Sequence, residues 1–102
     1  YDFFILPVTQ VVPFDVNTPY PTSIEGIEMD NYVDWMRSCW YISFLSVPAI
    51  SVPAGFTAGG LPVGLQIAAR HRGEAQLLNI ASAFEEATGE GFKRPAICQP
   101  AD

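Results

Sequence analysis

The sequence predicts an α/β chain in which the strands of a mixed β-sheet are layered with helices. Three observations predict it. Phe3–Leu6 and Ala49–Val52 are short apolar runs stopped by proline, and Val63–Ala69 alternates larger apolar with smaller or polar residues. Residues 30–45 and 74–88 repeat apolar side chains at three and four. The segments therefore run strand, long loop, helix, strand, strand, helix.

Phe3 to Leu6 is apolar at every position before Pro7, the pattern of a strand buried on both faces, as in parallel sheets. Residues 7–29 carry Pro13, Pro19 and Pro21 and no clean period, so they read as structureless loop. So long a loop argues against an independent small domain and for a segment that lies across a partner surface. Asp30 is placed to cap a helix over 30–45, with Met29, Tyr32, Val33, Met36, Cys39, Trp40 and Phe44 on one face. Trp35, Tyr41 and Ile42 make the other face apolar too, so this helix is expected to be buried nearly all round.

A strand over 49–52 fits between Pro48 and Pro53, because a proline without an N–H belongs at a strand end. Gly55, Gly59 and Gly60 supply turn conformations before the next strand, 63–69, and the short connection predicts a hairpin. Gly64, Gln66 and Ala68 share one face of that strand, and the small residues invite close packing. Gln66 is a polar amide in an apolar strand. If buried it needs partners, and a structural hydrogen bond to backbone is favoured over contact with a substrate. A second helix is expected over 74–88, acidic at Glu74 and closed by Gly89. The tail, with Pro95 and Pro100, reads as irregular.

Composition narrows the function. The chain has 102 residues, enough for one domain, and 49% of them are hydrophobic, which excludes a disordered polar tail. The net charge is −6 and the basic residues form only two small pairs, so nucleic-acid binding is set aside. No apolar run approaches the length of a membrane span. Cys39 and Cys98 are far apart and form no CxxC, so two free thiols in a reducing, cytoplasmic setting are expected. The chain starts at Tyr1 and enters an apolar strand at once, which reads as a piece of something longer.

Catalytic and ligand motifs are scarce. His71 is the one histidine, and no GxSxG elbow presents a serine to it. Ser43, Ser46 and Ser51 surround "VPAISVP", but the one lysine, Lys93, lies far downstream. No cluster has metal-ligand spacing, and no GxGxxG or GxxxxGK pattern occurs, so neither metal nor cofactor is expected. Glu25 and Glu28, or Asp30 and Asp34, read as capping and solubilising carboxylates.

The stretches "PAISVPAGF", "GLPVGLQIAA" and "EAQLLNIASAFEEATG", with "YDFFILPV" before them, resemble the C-terminal part of the amidase signature family. Order and spacing agree from about Tyr1 to Pro95. The resemblance implies part of a large mixed sheet covered by helices, in an enzyme that hydrolyses amides with a Ser–cis-Ser–Lys triad and no cofactor. It also implies that both serines and the lysine lie upstream, so the catalytic set is expected to be absent from this chain. Gly59-Gly60 is followed by Leu61, not by serine. Pro48, Pro53, Gly55, Gly64 and Gln66 then have structural roles.

The sequence departs from the family where Asn, apolar, Thr or Ala, Gly commonly precede "PAISVP"; Ser43, Phe44, Leu45 and Ser46 stand there. Met36 stands where ammonia-channelling members carry an acidic residue, which makes a glutamine amidotransferase component less favoured. Cys39, Trp40 and Ser43 fall where the family's C-terminal helix nears the substrate pocket, and Trp40 would suit an apolar acyl or aryl amide; plain core packing is the competing reading. The expected partners are the missing N-terminal amidase portion and a small amide substrate. The alternative is a free-standing small α/β association module that dimerises or binds a partner through an exposed sheet face.

Overall fold

The computed structural model describes residues 1–94 and Cys98. Strands β1 (Phe3–Pro7), β4 (Ala49–Phe56) and β5 (Pro62–Ala69) form a sheet in the order β1-β5-β4. A small hairpin, β2 (Ser23–Ile24) with β3 (Ile27–Glu28), stands apart from it. Helix α1 (Arg37–Phe44) precedes β4, and helix α2 (Glu74–Thr88) follows β5. Single 3-10 turns occupy Asp34–Met36 and Glu90–Phe92. The molecule is a slab 46 × 38 × 18 Å.

The predicted α/β layering is present, with every pairing in this sheet antiparallel. The parallel-sheet reading of Phe3–Leu6 is corrected. β1 pairs antiparallel with β5, Phe3 opposite Ala69 and Leu6 opposite Gln66. It lies at the sheet edge, and Phe4 and Ile5 are more than half exposed. An unbroken apolar run cannot distinguish a doubly buried central strand from an edge strand whose cover lies elsewhere in sequence.

The hairpin β4–β5 is the spine. Residues 57–61 close it, with Thr57 N–H donating to the Leu61 carbonyl at 2.8 Å and Gly60 at φ 84°. β4 runs four residues past the expected end at Val52. It passes Pro53 through a bulge, since Pro53 faces Gly64 while Gly55 faces Val63. The ladder explains why a proline is tolerated there. Ala69 N–H bonds the Pro48 carbonyl at 3.0 Å, so Pro48, Ile50 and Val52 point their backbone groups at β5. Pro53 falls on the outward phase, where its missing N–H breaks no bond to β5.

Val52, Ile67, Ala69, Leu77 and Ala81 form the core between the sheet and α2, flanked by Phe3, Ile50, Leu65, Ile80 and Phe84. α2 matches its predicted bounds. Gly89 ends it in the left-handed region at φ 67°, with its N–H on the Glu85 carbonyl at 2.8 Å.

Helix α1 is half the expected length, because residues 30–34 spend their polar groups locally. Asn31 Oδ1 accepts from Val33 N–H at 2.9 Å, and the Asp34 carboxylate accepts from Asp30 N–H at 3.1 Å. Asp30 therefore caps no helix. Burial all round is also corrected: Ile42 alone in α1 is fully buried, while Tyr41 and Phe44 are exposed. The loop 7–29 is not wholly structureless, since Glu25 and Gly26, both with positive φ, turn the β2–β3 hairpin. Most of the predicted irregular tail lies outside the described residues.

Candidate functional site

The sheet face away from α2 carries the pocket features. There the chain after β1 forms a strap, Val8–Phe14. Three polar contacts tie α1 to it: Ser38 Oγ and Cys39 Sγ both donate to the Val8 carbonyl, at 3.3 and 3.0 Å, and Ser38 N–H reaches Gln10 Oε1 at 3.4 Å. Gly64 lets the strap lie close. A Cβ at that position would stand 2.9 Å from Val8 Cγ2.

Between the strap, the β4 bulge and the turn Glu90–Phe92 lies an open cleft of about 820 Å³. Its surface is mainly apolar, with Val8, Val12, Phe14, Trp35, Phe56 and Val63 prominent. Phe14 meets Trp35 edge-on at 5.4 Å, and Tyr32 meets Trp35 at 5.9 Å, so the indole is clamped between two rings. Glu90 Oε1 is paired with Lys93 Nζ at 2.6 Å at the rim. Two buried atoms of cleft residues lack a partner: Trp35 Nε1 and Glu90 Oε2.

The three sequence-predicted pocket residues stand on α1. Cys39 is half-buried and turned to the strap through its bond to Val8. Trp40 donates Nε1–H to the Val33 carbonyl at 3.2 Å and packs on Tyr41 and Phe44, with ring centroids 4.3 and 5.8 Å away. Ser43 Oγ is spent on the Cys39 carbonyl at 3.3 Å. None of the three lines the cleft. Their helix also contributes Ile42 to a second hollow, beside Phe4, Leu45 and Val47.

Of the structural set, Pro48 and Pro53 take the strand positions described, and Gly55 and Gly64 line the cleft. Gln66 Oε1 is buried without a partner, so the backbone bond expected of it is not made among the described residues. His71 Nδ1 lies 3.1 Å from the Ser46 carbonyl, joining the end of β5 to the turn after α1. Among the described residues no group of three His, Cys, Asp or Glu side chains gathers for a metal, and no helix is long and apolar enough to cross a membrane. Cys39 and Cys98 are free thiols.

The cleft residues Trp35 and Glu90 were not marked by spacing. Trp35 was legible only as the second apolar face of a helix, and Glu90 carries no sequence signal at all.

Fold and site together define a class: an α/β sheet-and-helix unit with an apolar concave surface. Known proteins place it more narrowly. The family model described as Amidase matches residues 1–78. An acylamidase of Rhodococcus erythropolis is 42% identical over 97 residues, which is 94% of this chain and 20% of that protein. A glutamyl-tRNA(Gln) amidotransferase polypeptide of Chromohalobacter salexigens is 44% identical over 81 residues, 78% of this chain and 16% of its own. Among solved structures, a 6-aminohexanoate cyclic dimer hydrolase superimposes with a TM-score of 0.80 at 26% identity, over 97% of this chain and 22% of that one. A bacterial aryl acylamidase of the amidase signature family gives 0.79 at 27%, over 93% and 21%. The chain belongs to the amidase signature family, and it spans about a fifth of the length of the relatives it matches.

Proposed function

We propose that this chain is the C-terminal segment of an amidase-type amide hydrolase and is catalytically inactive by itself. The observation that carries the reading is the 97-residue match, 94% of this chain, to only 20% of an acylamidase. The motifs "PAISVPAGF" and "GLPVGLQIAA" fit the C-terminal position within the family. In this reading the serine nucleophile, its bridging serine and the lysine belong to the upstream part. The serine attacks the amide carbonyl, the C–N bond breaks to release ammonia or an amine, and water hydrolyses the acyl-enzyme.

This segment supplies β1, β4, β5 and α2 to the core, and α1 to the wall of the pocket. Cys39, Trp40 and Ser43 are the wall residues. Trp40 is held by its bond to Val33 and packed on Tyr41 and Phe44, so in this reading it offers an apolar acyl or aryl group a wall that is already ordered. Pro48, Pro53, Gly55, Gly64 and Gln66 shape the sheet. The upstream portion covers the bare sheet face, and the enzyme works in the cytoplasm.

The test is an assay of the full-length protein that contains this segment, on aryl, aliphatic and glutamine-type amides. Hydrolysis by that protein, with none by the 102-residue chain alone, is the expected result. Turnover by the short chain would overturn the reading. So would a full-length protein that hydrolyses no amide and shows only concentration-dependent association, which is the behaviour of a self-associating module. Trp40→Ala in the full-length enzyme should raise KM for aryl amides by about tenfold and leave small aliphatic amides nearly unchanged.

A further inference from the structure

We infer that Gln10 is a positioning residue: from the strap it caps helix α1, and so sets where the pocket-wall residues Cys39, Trp40 and Ser43 stand. The step from helix to substrate rests on the amidase reading above.

The first turn of a helix leaves N–H groups with no partner inside the helix. A side-chain oxygen at the N-cap position normally takes the N–H of the second or third helical residue. α1 has no such cap of its own: Met36 holds that position, and its thioether is a poor acceptor. The polar side chains just before it are engaged locally. Asn31 Oδ1 accepts from Val33 N–H, and the Asp34 carboxylate takes Asp30 N–H and the Arg37 guanidinium. The N–H of Ser38, the second residue of α1, donates instead to Gln10 Oε1 at 3.4 Å, 28 positions upstream. Gln10 thus takes the N–H that an N-cap side chain would take, but from another segment.

The side chains of the same turn reach the same strap. Ser38 Oγ and Cys39 Sγ converge on the Val8 carbonyl, at 3.3 and 3.0 Å. Each of the three bonds is weak alone, but on two consecutive residues they fix both the place and the rotation of the helix start. Packing does little of this work, because Ile42 is the one fully buried residue of α1. Eight residues are also too few for a helix to stand on its own propensity. The strap is anchored in turn by Val8, whose N–H meets the Gly64 carbonyl at 3.4 Å. Position therefore passes from β5 through the strap to the first turn of α1, and Trp40 follows that turn directly. Without the Gln10 acceptor the turn frays, and Trp40 loses its fixed place. Amides too small to reach Trp40 do not sense the change.

The experiment compares Gln10→Met with Gln10→Glu in the full-length enzyme. Both nearly keep the size of the side chain, and only the glutamate keeps an acceptor oxygen. Gln10 is exposed, so neither change threatens the core. Gln10→Met should speed amide hydrogen exchange in the first turn of α1 by about fivefold. It should also raise KM for aryl amides by about threefold, with kcat and the turnover of small aliphatic amides within about twofold of the parent. Gln10→Glu should restore both readings. Unchanged exchange in Gln10→Met would overturn the inference, and so would a Gln10→Glu variant that behaves like Gln10→Met. Faster exchange with an equal loss of kcat/KM for every amide and a lower Tm would also overturn it, since that is the mark of a merely structural contact. A parent enzyme that hydrolyses no amide would remove the amidase reading, and the exchange rates would still decide whether Gln10 caps α1.

Discussion

The two faces of the sheet are covered to very different degrees. On the α2 face, Val52, Ile67, Leu77 and Ala81 are each at most 5% exposed. On the opposite face Ala68 and Ile42 are buried, but Phe4 is 62% exposed and Phe44 and Leu45 stand in solvent. The covered face is built by β4, β5 and α2, contiguous from Ala49 to Thr88. The other is closed by a strap and a short helix, tied by polar contacts across 28 to 31 residues. Packing between sequence neighbours closes at little entropic cost, while the second face offsets the closure of a long loop with a few weak hydrogen bonds and the Phe14–Trp35 edge contact. A chain that matches a fifth of its relatives thus contains one layer packed at its centre, with Ile5 at the β1 edge still 57% exposed, and one that is half made.

The sharpest way to break this comparison is to truncate one large side chain on each face. Ile67→Ala should cost about 2–5 kcal/mol, because a residue 1% exposed leaves a cavity that its β-sheet neighbours cannot fill. Phe44→Ala, at 79% exposure, should change the stability of this chain by no more than about 0.5 kcal/mol. Denaturant midpoints of the two variants decide the matter. Equal losses would mean that the strap face is packed as tightly as the α2 face. Repeated in the full-length protein, a much larger cost for Phe44→Ala would mark that side chain as buried by the rest of the chain.

Two glycines give a finer version of the same test. A Cβ at Gly73 would lie 2.7 Å from the Arg70 carbonyl oxygen, a backbone atom in the turn that leads into α2. Gly73 also donates its N–H to that carbonyl at 2.8 Å, so the turn cannot open without losing the bond. Gly73→Ala should cost about 1–3 kcal/mol. A Cβ at Gly64 would lie 2.9 Å from Val8 Cγ2, a side-chain atom on the loosely held strap. Gly64→Ala should cost less than half as much. Its effect should appear as faster hydrogen exchange at Val8 N–H, whose bond to the Gly64 carbonyl is already 3.4 Å long. A larger loss at Gly64 than at Gly73 would reverse the ranking of the two faces.

The same division explains what was legible in the sequence. The hairpin, the bounds of α2 and the Gly89 terminus were readable because their signals are local: alternation, a three-and-four period, a left-handed glycine. The length of α1 was not, because Asn31 and Asp34 compete for backbone N–H groups that a helix would use, and apolar spacing carries no trace of that. The exposure of Phe4 was not readable either, since an apolar strand looks the same whether its cover lies in this chain or beyond it. At the site, the expectation that the triad lies upstream and the choice of pocket candidates both came from motifs. The cleft came from the chain path of the strap, and Glu90 lines it only because the turn after Gly89 swings back onto the β4 bulge. Pro53 was placed at a strand end by its missing N–H, and the ladder phase shows that an outward position within an edge strand satisfies the same constraint.

The smallest expected effect is a gain. Ser46 follows α1 with φ 51°, in the left-handed region. A side chain there crowds the following carbonyl and costs about 1–2 kcal/mol, which glycine avoids. Glycine in turn loses more chain entropy on folding, by about 0.5–1 kcal/mol. The difference favours Ser46→Gly by about 0.5 kcal/mol, and no bond opposes it, because His71 holds the backbone carbonyl of Ser46 and not its hydroxyl. Glycine is also the residue that the amidase family commonly places before "PAISVP". Ser46→Ala is the control: it removes the hydroxyl, keeps the Cβ, and should give no gain. A stabilised glycine variant beside an unchanged alanine variant, read from denaturant midpoints, would show that the turn joining the half-made face to β4 is strained by its backbone alone. A loss in both would mean that the serine hydroxyl holds something on that face, and the turn would then count with the packed side of the molecule.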